Sequence, residues 1–406
     1  MARGPVIALI DGEHHPAAVG PVLDRLDAER GLVATVFCGG EEKVRAGVLD
    51  EPAAHYGREV TSGVRPGDAL RALAGDTKAV AVVDLADEPV LSPRVRLELA
   101  ALALHLGLAY EAPGLSLRPP SYAPTGFDGP TVSVIATAKR TGKTAVAGHL
   151  AGLLRGEGLD PVIVCMGRGG PGVPELAEPG TGLERLLALA AEGRHAASDH
   201  LEGAVLAGVR TVGCRRVGGG PVGEPAQSNV VEGARLAAGL DPGVLIFEGS
   251  GACVPPVRSE RTVCLVGGPV EGLGSYSVLR ADLLLAMPGA PAVEGAIRCQ
   301  LRPEPAEPVP PGSRVALFTT RAKDCAGVQA VVASAALARR GELAGALDRA
   351  AAERCDVYLT ELKGAAVDTV AVRARAEGAR VIFVRNRPVG LDSDLDAALL
   401  GLARRG

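Results

Sequence analysis

Aromatic residues are scarce in this chain, which has no tryptophan, five tyrosines and five phenylalanines among its 406 residues. Hydrophobic residues still make up 47% of the sequence, so the core that they form must be aliphatic. No run of about 18 uncharged apolar residues occurs, which argues against a membrane span. The apolar run Val6–Ile10 ends at Asp11 and is too short for a signal peptide. The sequence therefore predicts a cytoplasmic protein of about two or three domains with no membrane partner.

An excess of charge of either sign is also lacking, because 43 Lys and Arg residues stand against 47 Asp and Glu residues, for a net charge of −4. This balance argues against a nucleic-acid partner. The eight cysteines include no C-x-x-C pair, so we predict reduced thiols and neither a zinc site nor a disulfide framework. Extended His or Cys tracts, which would favour a metallochaperone, are absent as well.

A phosphate-binding motif is present in the middle of the chain. The apolar run 132–135 predicts a strand, and a helix-like segment starts at Lys143 after a loop that ends in Gly142-Lys143-Thr144. A strand, a loop, Gly-Lys-Thr and a helix are the order typical of a P-loop, although Thr137 occupies the position of the opening glycine. The sequence therefore predicts a nucleotide site.

The residue types of this loop fit phosphate chemistry. Gly142 lets the backbone approach a phosphate, and free amides at a helix start bind phosphate oxygens. Lys143 can bridge the β- and γ-phosphates, and Thr144 can ligate Mg²⁺. We therefore predict ATP and Mg²⁺ as cofactors, with the nucleotide held by Thr141, Gly142, Lys143, Thr144 and Ala145.

An acidic residue follows a second apolar run at 244–247, where Glu248 begins the sequence Glu-Gly-Ser-Gly. A carboxylate at a strand end beside a P-loop can hold Mg²⁺ directly or through water. We predict Thr144 and Glu248 as the metal ligands. The alternative is a solvated glutamate in a strand-ending turn.

The order of the predicted elements indicates an α/β protein. Residues 1–125 predict an α/β domain of their own, and a Pro-rich stretch at 113–130 marks its boundary. Residues 126–406 predict a P-loop NTPase domain with a mostly parallel sheet and an α/β extension from about 312, after a second Pro-rich break at 303–311. In that extension we predict strands at 315–318, 356–359 and 381–384, with a long Ala-rich helical stretch after the first of them. The extension either continues the P-loop sheet or forms a small third unit.

Five stretches together resemble the cyclic 2,3-diphosphoglycerate synthetase family, and the P-loop with its threonine also resembles dethiobiotin synthetase-like enzymes. The stretches are Asp11-Gly12-Glu13-His14-His15-Pro16, Lys139-Arg140-Thr141-Gly142-Lys143-Thr144, Met166-Gly167-Arg168-Gly169-Gly170-Pro171, Ala197-Ser198-Asp199-His200 and Phe247-Glu248-Gly249-Ser250-Gly251. The resemblance implies an ATP-dependent ligase that closes 2,3-diphosphoglycerate into an intramolecular phosphoanhydride and releases ADP and phosphate. Homodimer formation is compatible with this interpretation.

A substrate with two phosphates and a carboxylate needs a cationic site, and basic residues stand at several predicted loops. We predict that Lys143, Lys139, Arg140 and Arg168 take part in catalysis. For substrate binding we predict Arg168, Arg215, Arg216, His14 and His15. The two histidines serve equally well to shape a turn, and Asp199 and His200 either act at the metal or a phosphate or form a plain helix cap.

Two other functions remain open at this stage. A carboxylate ligase of the dethiobiotin synthetase type would need an amine or carboxylate site in place of two phosphate sites. A nucleotide-switched binding protein or metallochaperone would use the P-loop as a conformational switch. The basic residues at the loops favour the cyclising ligase over the carboxylate ligase, and the lack of extended His or Cys tracts argues against the metallochaperone.

Overall fold

The computed structural model describes residues 4–321 and 324–404. The chain folds into two compact units, the first made of residues up to 121 with 270–280, and the second of 122–269 with the residues from 281 on. Residues 270–280 were predicted to belong to the second domain, but Leu273 and Leu279 pack into the hydrophobic cluster of the first unit. Among the residues described, none of the helices combines the length and the apolar character needed to cross a membrane.

The first unit is built on a five-stranded sheet with the order β2-β1-β3-β4-β5, parallel except for its last pair. Its elements are β1 Val6–Ile10, α1 Pro16–Arg30, β2 Leu32–Phe37, α2 Pro52–Tyr56, α3 Pro66–Asp76, β3 Ala81–Asp84, α4 Pro93–His105, β4 Ala109–Ala112 and β5 Leu115–Leu117. Every residue of β1 is buried, as expected for a parallel strand covered on both faces. The β4–β5 hairpin was not predicted, because its turn at Pro113-Gly114 reads as the start of a linker.

The second unit contains one long sheet and begins with the P-loop strand. From residue 131 the elements are β6 Thr131–Ala136, α5 Lys143–Gly156, β7 Pro161–Gly167, β8 Glu175–Ala177, α6 Leu183–Ala191, α7 Asp199–Glu202, β9 Arg210–Val217, β10 Gln227–Ser228, α8 Val230–Ala238, β11 Val244–Glu248, β12 Arg261–Val266, α9 Ser275–Leu279 in the first unit, β13 Leu283–Ala286, β14 Ile297–Pro305, β15 Val315–Phe318, β16 Ala330–Ser334, α10 Arg340–Ala352, β17 Val357–Glu361, α11 Val372–Ala376, β18 Arg380–Gly390 and α12 Leu395–Ala403.

Alternate residues of the central strands pack on opposite faces of this sheet. Ile163 and Ile246 belong to the cluster that contains α5 and α12, whereas Val164 and Phe247 belong to the cluster that contains α8. This alternation follows from the two-residue period of a strand. Burying each of these apolar side chains contributes about 1.5–3 kcal/mol, so the sheet is stabilised from both faces. The strand β11 lies between β6 and β7, which brings its carboxyl end beside the P-loop.

The C-terminal extension continues the P-loop sheet. The strand order runs β10-β9-β7-β11-β6-β12-β13-β14-β18-β17-β15-β16 without interruption. The strands β14 and β18 form a seven-residue antiparallel ladder, which joins the two parallel parts of the sheet. The alternative left open by the sequence is thereby resolved in favour of one shared sheet.

Two predictions about this extension were wrong in detail. Pro303 and Pro305 lie within β14 and not in a break. They occupy alternate positions of the strand, in the part that pairs with β18 but no longer with β13, so their missing N–H groups are tolerated. The predicted Ala-rich helical stretch divides into the strand β16 and the helix α10. Alanine has a high helix propensity, but β16 is held in the sheet by pairing with β15, which local propensity cannot indicate.

Candidate active site

The P-loop connects β6 to α5, and Thr137 stabilises its first half. The Thr137 hydroxyl accepts a hydrogen bond of 3.2 Å from the amide of Gly267, which follows β12. Threonine at the position of the usual opening glycine therefore ties the loop to the neighbouring strand. At the other end, Gly142 has a φ of 104°, and a Cβ there would lie 2.8 Å from Cδ1 of Leu301. Both its conformation and its surroundings require glycine at this position.

Lys143 is the first residue of α5 and is almost completely buried, with 7% of its surface exposed. Its ammonium donates a hydrogen bond of 2.8 Å to the carbonyl oxygen of Gly251, in the turn after β11. Burial lowers the pKa of Lys143, and the negative charge of Glu248 opposes this effect. The ammonium is thus held by a neutral acceptor, which a phosphate oxygen could replace with a stronger, charge-assisted bond.

Thr144 and Glu248 are in direct contact. The Thr144 hydroxyl donates a hydrogen bond of 2.5 Å to Oε1 of Glu248, and the thiol of Cys165 lies 3.3 Å from Oε2. Glu248 is only 3% exposed, and burial, together with the charge of Asp199, raises its pKa to about 8. This places a hydroxyl and a carboxylate, the hard oxygen donors that suit Mg²⁺, at the first turn of α5.

The donor set fits Mg²⁺ in a further respect. In the described part of the chain, no group of three or more His, Cys, Asp or Glu side chains is arranged to hold a metal ion. Mg²⁺ commonly takes one or two protein ligands and completes its shell with water and substrate phosphates. One carboxylate and one hydroxyl beside a P-loop agree with that pattern, and a phosphate-free protein would bind the ion weakly.

Basic side chains from three separate loops and strands converge on Gly251. A Cβ at this glycine would lie 2.6 Å from Nη2 of Arg168, 3.5 Å from Nη2 of Arg216 and 3.5 Å from Cγ of Lys139. Together with Lys143, these residues form a cationic cluster. None of the four forms an ion pair with a carboxylate of residues 4–321 or 324–404. Cations gathered without counter-ions indicate a site for an anionic ligand.

Arg216 is the most firmly placed member of the cationic cluster. It is 9% exposed, and its guanidinium donates to the carbonyl oxygens of Ser250 at 3.0 Å and Gly218 at 2.5 Å. Its Nε has no hydrogen-bond partner in residues 4–321 and 324–404. The guanidinium is therefore oriented by the backbone and retains a free donor.

A small pocket of about 60 Å³ adjoins the cationic cluster, and Arg168, Asp199 and His200 are among its lining residues. Ser198 precedes α7 at the cap position, but its hydroxyl pairs with Nδ1 of His200 at 3.0 Å and makes no cap hydrogen bond to the backbone. Burial lowers the pKa of His200, so the ring is neutral near pH 7. The pocket therefore presents a cation and a carboxylate beside the P-loop.

Comparison with known proteins gives one consistent result. Family models match residues 5–118, 131–293 and 311–387, and they describe the N-terminal, P-loop and C-terminal domains of cyclic 2,3-diphosphoglycerate synthetase. A protein of that name from Rubrobacter xylanophilus is 42% identical over 98% of this chain and 96% of its own length. The chain belongs to the cyclic 2,3-diphosphoglycerate synthetase family.

Other members of the cyclic 2,3-diphosphoglycerate synthetase family are similar over the same extent. The protein of Thermococcus onnurineus is 36% identical over 98% of both chains, and that of Methanothermobacter thermautotrophicus is 34% identical over 100% of this chain and 97% of its own. Among solved structures, LpxK from Aquifex aeolicus in complex with ATP aligns with 68% of this chain and 88% of its own at a TM-score of 0.39 and 16% identity. That likeness is too distant to bear on function.

Not all residues that the family resemblance suggested come together. Arg215 and Arg216 were predicted to follow a strand, but both lie within β9, whose alternation turns Arg216 inward and leaves Arg215 exposed on the opposite face. Arg140 is exposed in the P-loop with a φ of 58° and is absent from the contacts around Gly251.

His14 and His15 lie in the first unit, in the loop after β1. The Nδ1 atom of His14 lies 2.7 Å from Oδ1 of Asp11, and Nδ1 of His15 accepts from the amide of Ala17 at the start of α1. Asp11 is fully buried and also accepts from the amides of Glu13 and His14. Both histidines thus have contacts within their own loop, and their role toward substrate stays a prediction.

One pair of charged residues near the pocket was not predicted. Lys363 follows β17 and forms an ion pair with Glu202 of α7, with Nζ 3.3 Å from Oε1. A lysine directly after a parallel strand carries a sequence signal, since ligands bind at the carboxyl ends of such strands. The partner in α7 could be found only from the structure.

Proposed function

We propose that the protein is an ATP-dependent ligase that closes 2,3-diphosphoglycerate into cyclic 2,3-diphosphoglycerate, with release of ADP and phosphate. The observation that supports this most directly is the cationic cluster beside the P-loop, which has no counter-ions among the described residues. Such a cluster suits a substrate with two phosphates. Relatives over the whole chain length are named as synthetases of this product.

The P-loop residues would hold ATP. The amides of Thr141 to Ala145 would bind the β- and γ-phosphates, as amides at the start of a helix do. Lys143 would exchange its hydrogen bond to the carbonyl oxygen of Gly251 for one to a phosphate oxygen. Thr144 and Glu248 would hold Mg²⁺, which supplies charge neutralisation when bound.

The remaining members of the cationic cluster would hold the substrate. Arg168 and Arg216 suit bidentate phosphate recognition, and Lys139 adds a further positive charge above Gly251. One substrate phosphate would attack the γ-phosphorus of ATP, and ADP would leave. The substrate then carries a pyrophosphoryl group. The other substrate phosphate would attack the phosphorus of this group that belongs to the substrate, and the transferred phosphate would leave as inorganic phosphate when the ring closes.

No nucleophilic side chain is required for this reaction, because both nucleophiles are phosphate oxygens of the substrate. The chain's contribution is to orient the groups and neutralise their charge. For an intramolecular ring closure, orientation alone can contribute about 7–11 kcal/mol. The proposal includes a cytoplasmic location, which agrees with eight cysteines that are all free thiols.

The test is ADP release from ATP and Mg²⁺, measured in parallel with 2,3-diphosphoglycerate, 2-phosphoglycerate and a diaminocarboxylate. We expect release with 2,3-diphosphoglycerate and a cyclic product detectable by ³¹P NMR. Lys143→Ala is the control, because it removes the ammonium that would contact the β- and γ-phosphates, and we expect turnover to be lost in a folded protein. Release with the diaminocarboxylate alone would instead indicate a carboxylate ligase, and no release with any of them would contradict the proposal.

A further inference from the structure

Lys363 lies where ligands of a parallel sheet are commonly bound. It stands two residues after Glu361, the last residue of β17, at the carboxyl edge of the strands that the C-terminal extension adds to the sheet. Its ammonium reaches Glu202 of α7, with 3.3 Å between Nζ and Oε1. Lys363, a residue of the C-terminal extension, thus contacts the helix that contains Asp199.

The Lys363 ammonium is only partly used by this contact. An ammonium has three N–H donors, and in the described part of the chain its one ion-pair partner is Glu202. The Lys363 side chain is 32% exposed, whereas that of Glu202 is 8% exposed. Lys363 can therefore accept a second anionic partner without leaving the first.

Glu202 differs from its neighbour Glu361 in how its oxygens are bonded. Both oxygens of Glu361 are used, because Oε2 accepts from the amide and hydroxyl of Thr320 at 2.7 Å and Oε1 accepts from Asn386 at 2.8 Å. Glu202 bonds Lys363 through Oε1, while its buried Oε2 has no hydrogen-bond partner among the residues that the structure describes. A carboxylate that served only as a structural clamp would be expected to have both oxygens bonded, as Glu361 has.

The Lys363–Glu202 pair lies next to the pocket of the candidate active site. Asp199 and Glu202 are three residues apart on α7, which places them on one face of the helix. Asp199 lines the pocket together with Arg168 of the cationic cluster. The negative charge of Asp199 also raises the pKa of Glu248 on the P-loop side and that of Glu202 on the other side. The helix that carries Glu202 therefore also forms part of the pocket wall.

The charges around Lys363 keep it protonated. The negative charge of Glu202, with Glu361 and Asp199, raises the pKa of Lys363 above its usual value, in spite of burial. Burial in turn raises the pKa of Glu202 to about 7, which Asp199 reinforces and Lys363 opposes. Near neutral pH Lys363 is thus positively charged, whereas Glu202 exchanges between its ionised and protonated forms.

We propose that Lys363 is a further substrate-binding residue, which donates its remaining N–H groups to an anionic group of the substrate while Glu202 holds the ammonium in place. The inference rests on the proposed function and adds to it a contact from the C-terminal extension. The substrate group is the phosphate or carboxylate that lies farther from the γ-phosphate of ATP. Lys139, Arg168 and Arg216 bind the nearer groups.

The test compares Glu202→Gln with the double variant Glu202→Gln, Lys363→Met. Removing Lys363 alone would leave a buried carboxylate unpaired and could unfold the protein, whereas the double variant leaves no lone charge. The matched control is Arg340→Met, which removes an exposed basic side chain from the same extension, where Arg340 pairs with Asp368. KM for 2,3-diphosphoglycerate, Kd for ADP and Tm are measured for wild type and all three variants.

We expect KM for 2,3-diphosphoglycerate to rise about tenfold or more between Glu202→Gln and the double variant, as for the loss of a hydrogen bond to a charged group. Kd for ADP should stay within about twofold, and Arg340→Met should resemble wild type. A KM unchanged between the two Glu202 variants in folded protein would overturn the inference and leave the proposed function standing. A wild-type protein that is inactive on 2,3-diphosphoglycerate would overturn both.

Discussion

The hydroxyl of Thr144 donates a hydrogen bond of 2.5 Å to Oε1 of Glu248, and this contact joins the first turn of α5 to the end of β11. The two residues are 104 positions apart in the chain. They meet because β11 pairs directly with β6, with Glu248 opposite Val134. Two adjacent parallel strands thus place a carboxylate at the P-loop, and in the proposed function the two oxygens hold the same Mg²⁺.

Glu248→Gln should make the stability of the ligand-free protein less dependent on pH. Burial raises the pKa of Glu248 to about 8, whereas a carboxyl in the unfolded chain titrates near about 4.3. Between these values the native state binds the additional proton, so its stability falls as the pH rises. A glutamine cannot ionise, and the variant should have a higher Tm than wild type at about pH 8.5 and a similar Tm near pH 4.5.

Thermal melts of both proteins across that pH range, without nucleotide, check this expectation. Glu192→Gln is the control, because Glu192 is exposed and its removal should leave the pH profile unchanged. The Glu248→Gln variant should also lose turnover by orders of magnitude while it still binds nucleotide. Parallel pH profiles for Glu248→Gln and wild type would show that this carboxylate does not titrate as a buried group.

Gly251→Ala should disturb the cationic cluster. Gly251 has a φ of 64°, and a Cβ there would lie 2.6 Å from Nη2 of Arg168, which must move away. Gly193 has a φ of 72°, and no described atom lies within 4 Å of its Cβ position. Gly193→Ala therefore strains the backbone in the same way but displaces no neighbouring side chain. Each variant should lose about 1 kcal/mol of stability, but only Gly251→Ala should raise KM for 2,3-diphosphoglycerate. Equal KM values in the two variants would argue against a substrate role for Arg168.

Arg216→Gln and Arg215→Gln should have different effects although the residues are adjacent. Arg216 is buried in the cationic cluster, whereas Arg215 is exposed on the other face of β9. We expect Arg216→Gln to raise KM for 2,3-diphosphoglycerate by about tenfold or more, as for the loss of a charge-assisted contact. Arg215→Gln should stay within about threefold of wild type. Steady-state kinetics measures both KM values. A larger increase in KM for Arg215→Gln than for Arg216→Gln would place the substrate on the outer face of β9.

The double variant His14→Asn, His15→Asn tests the first unit. If the loop after β1 binds substrate, KM for 2,3-diphosphoglycerate should rise while Kd for ATP is unchanged. The observed contacts favour a lower Tm with both constants unchanged, because His14→Asn removes the contact between Nδ1 of His14 and the buried carboxylate of Asp11. His15→Asn should leave the start of α1 intact, because Asn is itself a favoured N-cap residue, and a thermal melt measures the remaining effect. A rise in KM in a variant with wild-type Tm would support the substrate role.

Sequence reasoning was most successful where chemistry restricts the residue type. The Gly142-Lys143-Thr144 end of the P-loop and Glu248 could be found because few residues serve those purposes, and the structure brings them together. The family and the α/β class were also predicted and are confirmed by the comparisons. The individual roles of the site residues stay predictions.

Sequence reasoning was least successful where tertiary pairing decides. The strand β16 lies in an Ala-rich segment and owes its conformation to β15, and β14 accommodates two prolines because its pairing with β13 ends before them. Arg215 and Arg216 form an adjacent basic pair in the sequence, and only the register of β9 shows that they face opposite ways. The Lys363–Glu202 contact joins elements that are 161 positions apart, so no local pattern indicates it.

The shared sheet limits where the chain can be divided. Removing the residues after β14 would strip β18 from a seven-residue ladder and leave a long, unprotected strand edge in the P-loop portion. Exposed edges of this kind recruit strands from other molecules, so a shortened chain should aggregate and not fold as a smaller ATPase. Any minimal catalytic fragment would have to retain β15 to β18, and gene fusions or splits are better sought near residue 121, where the chain passes from one compact unit to the other.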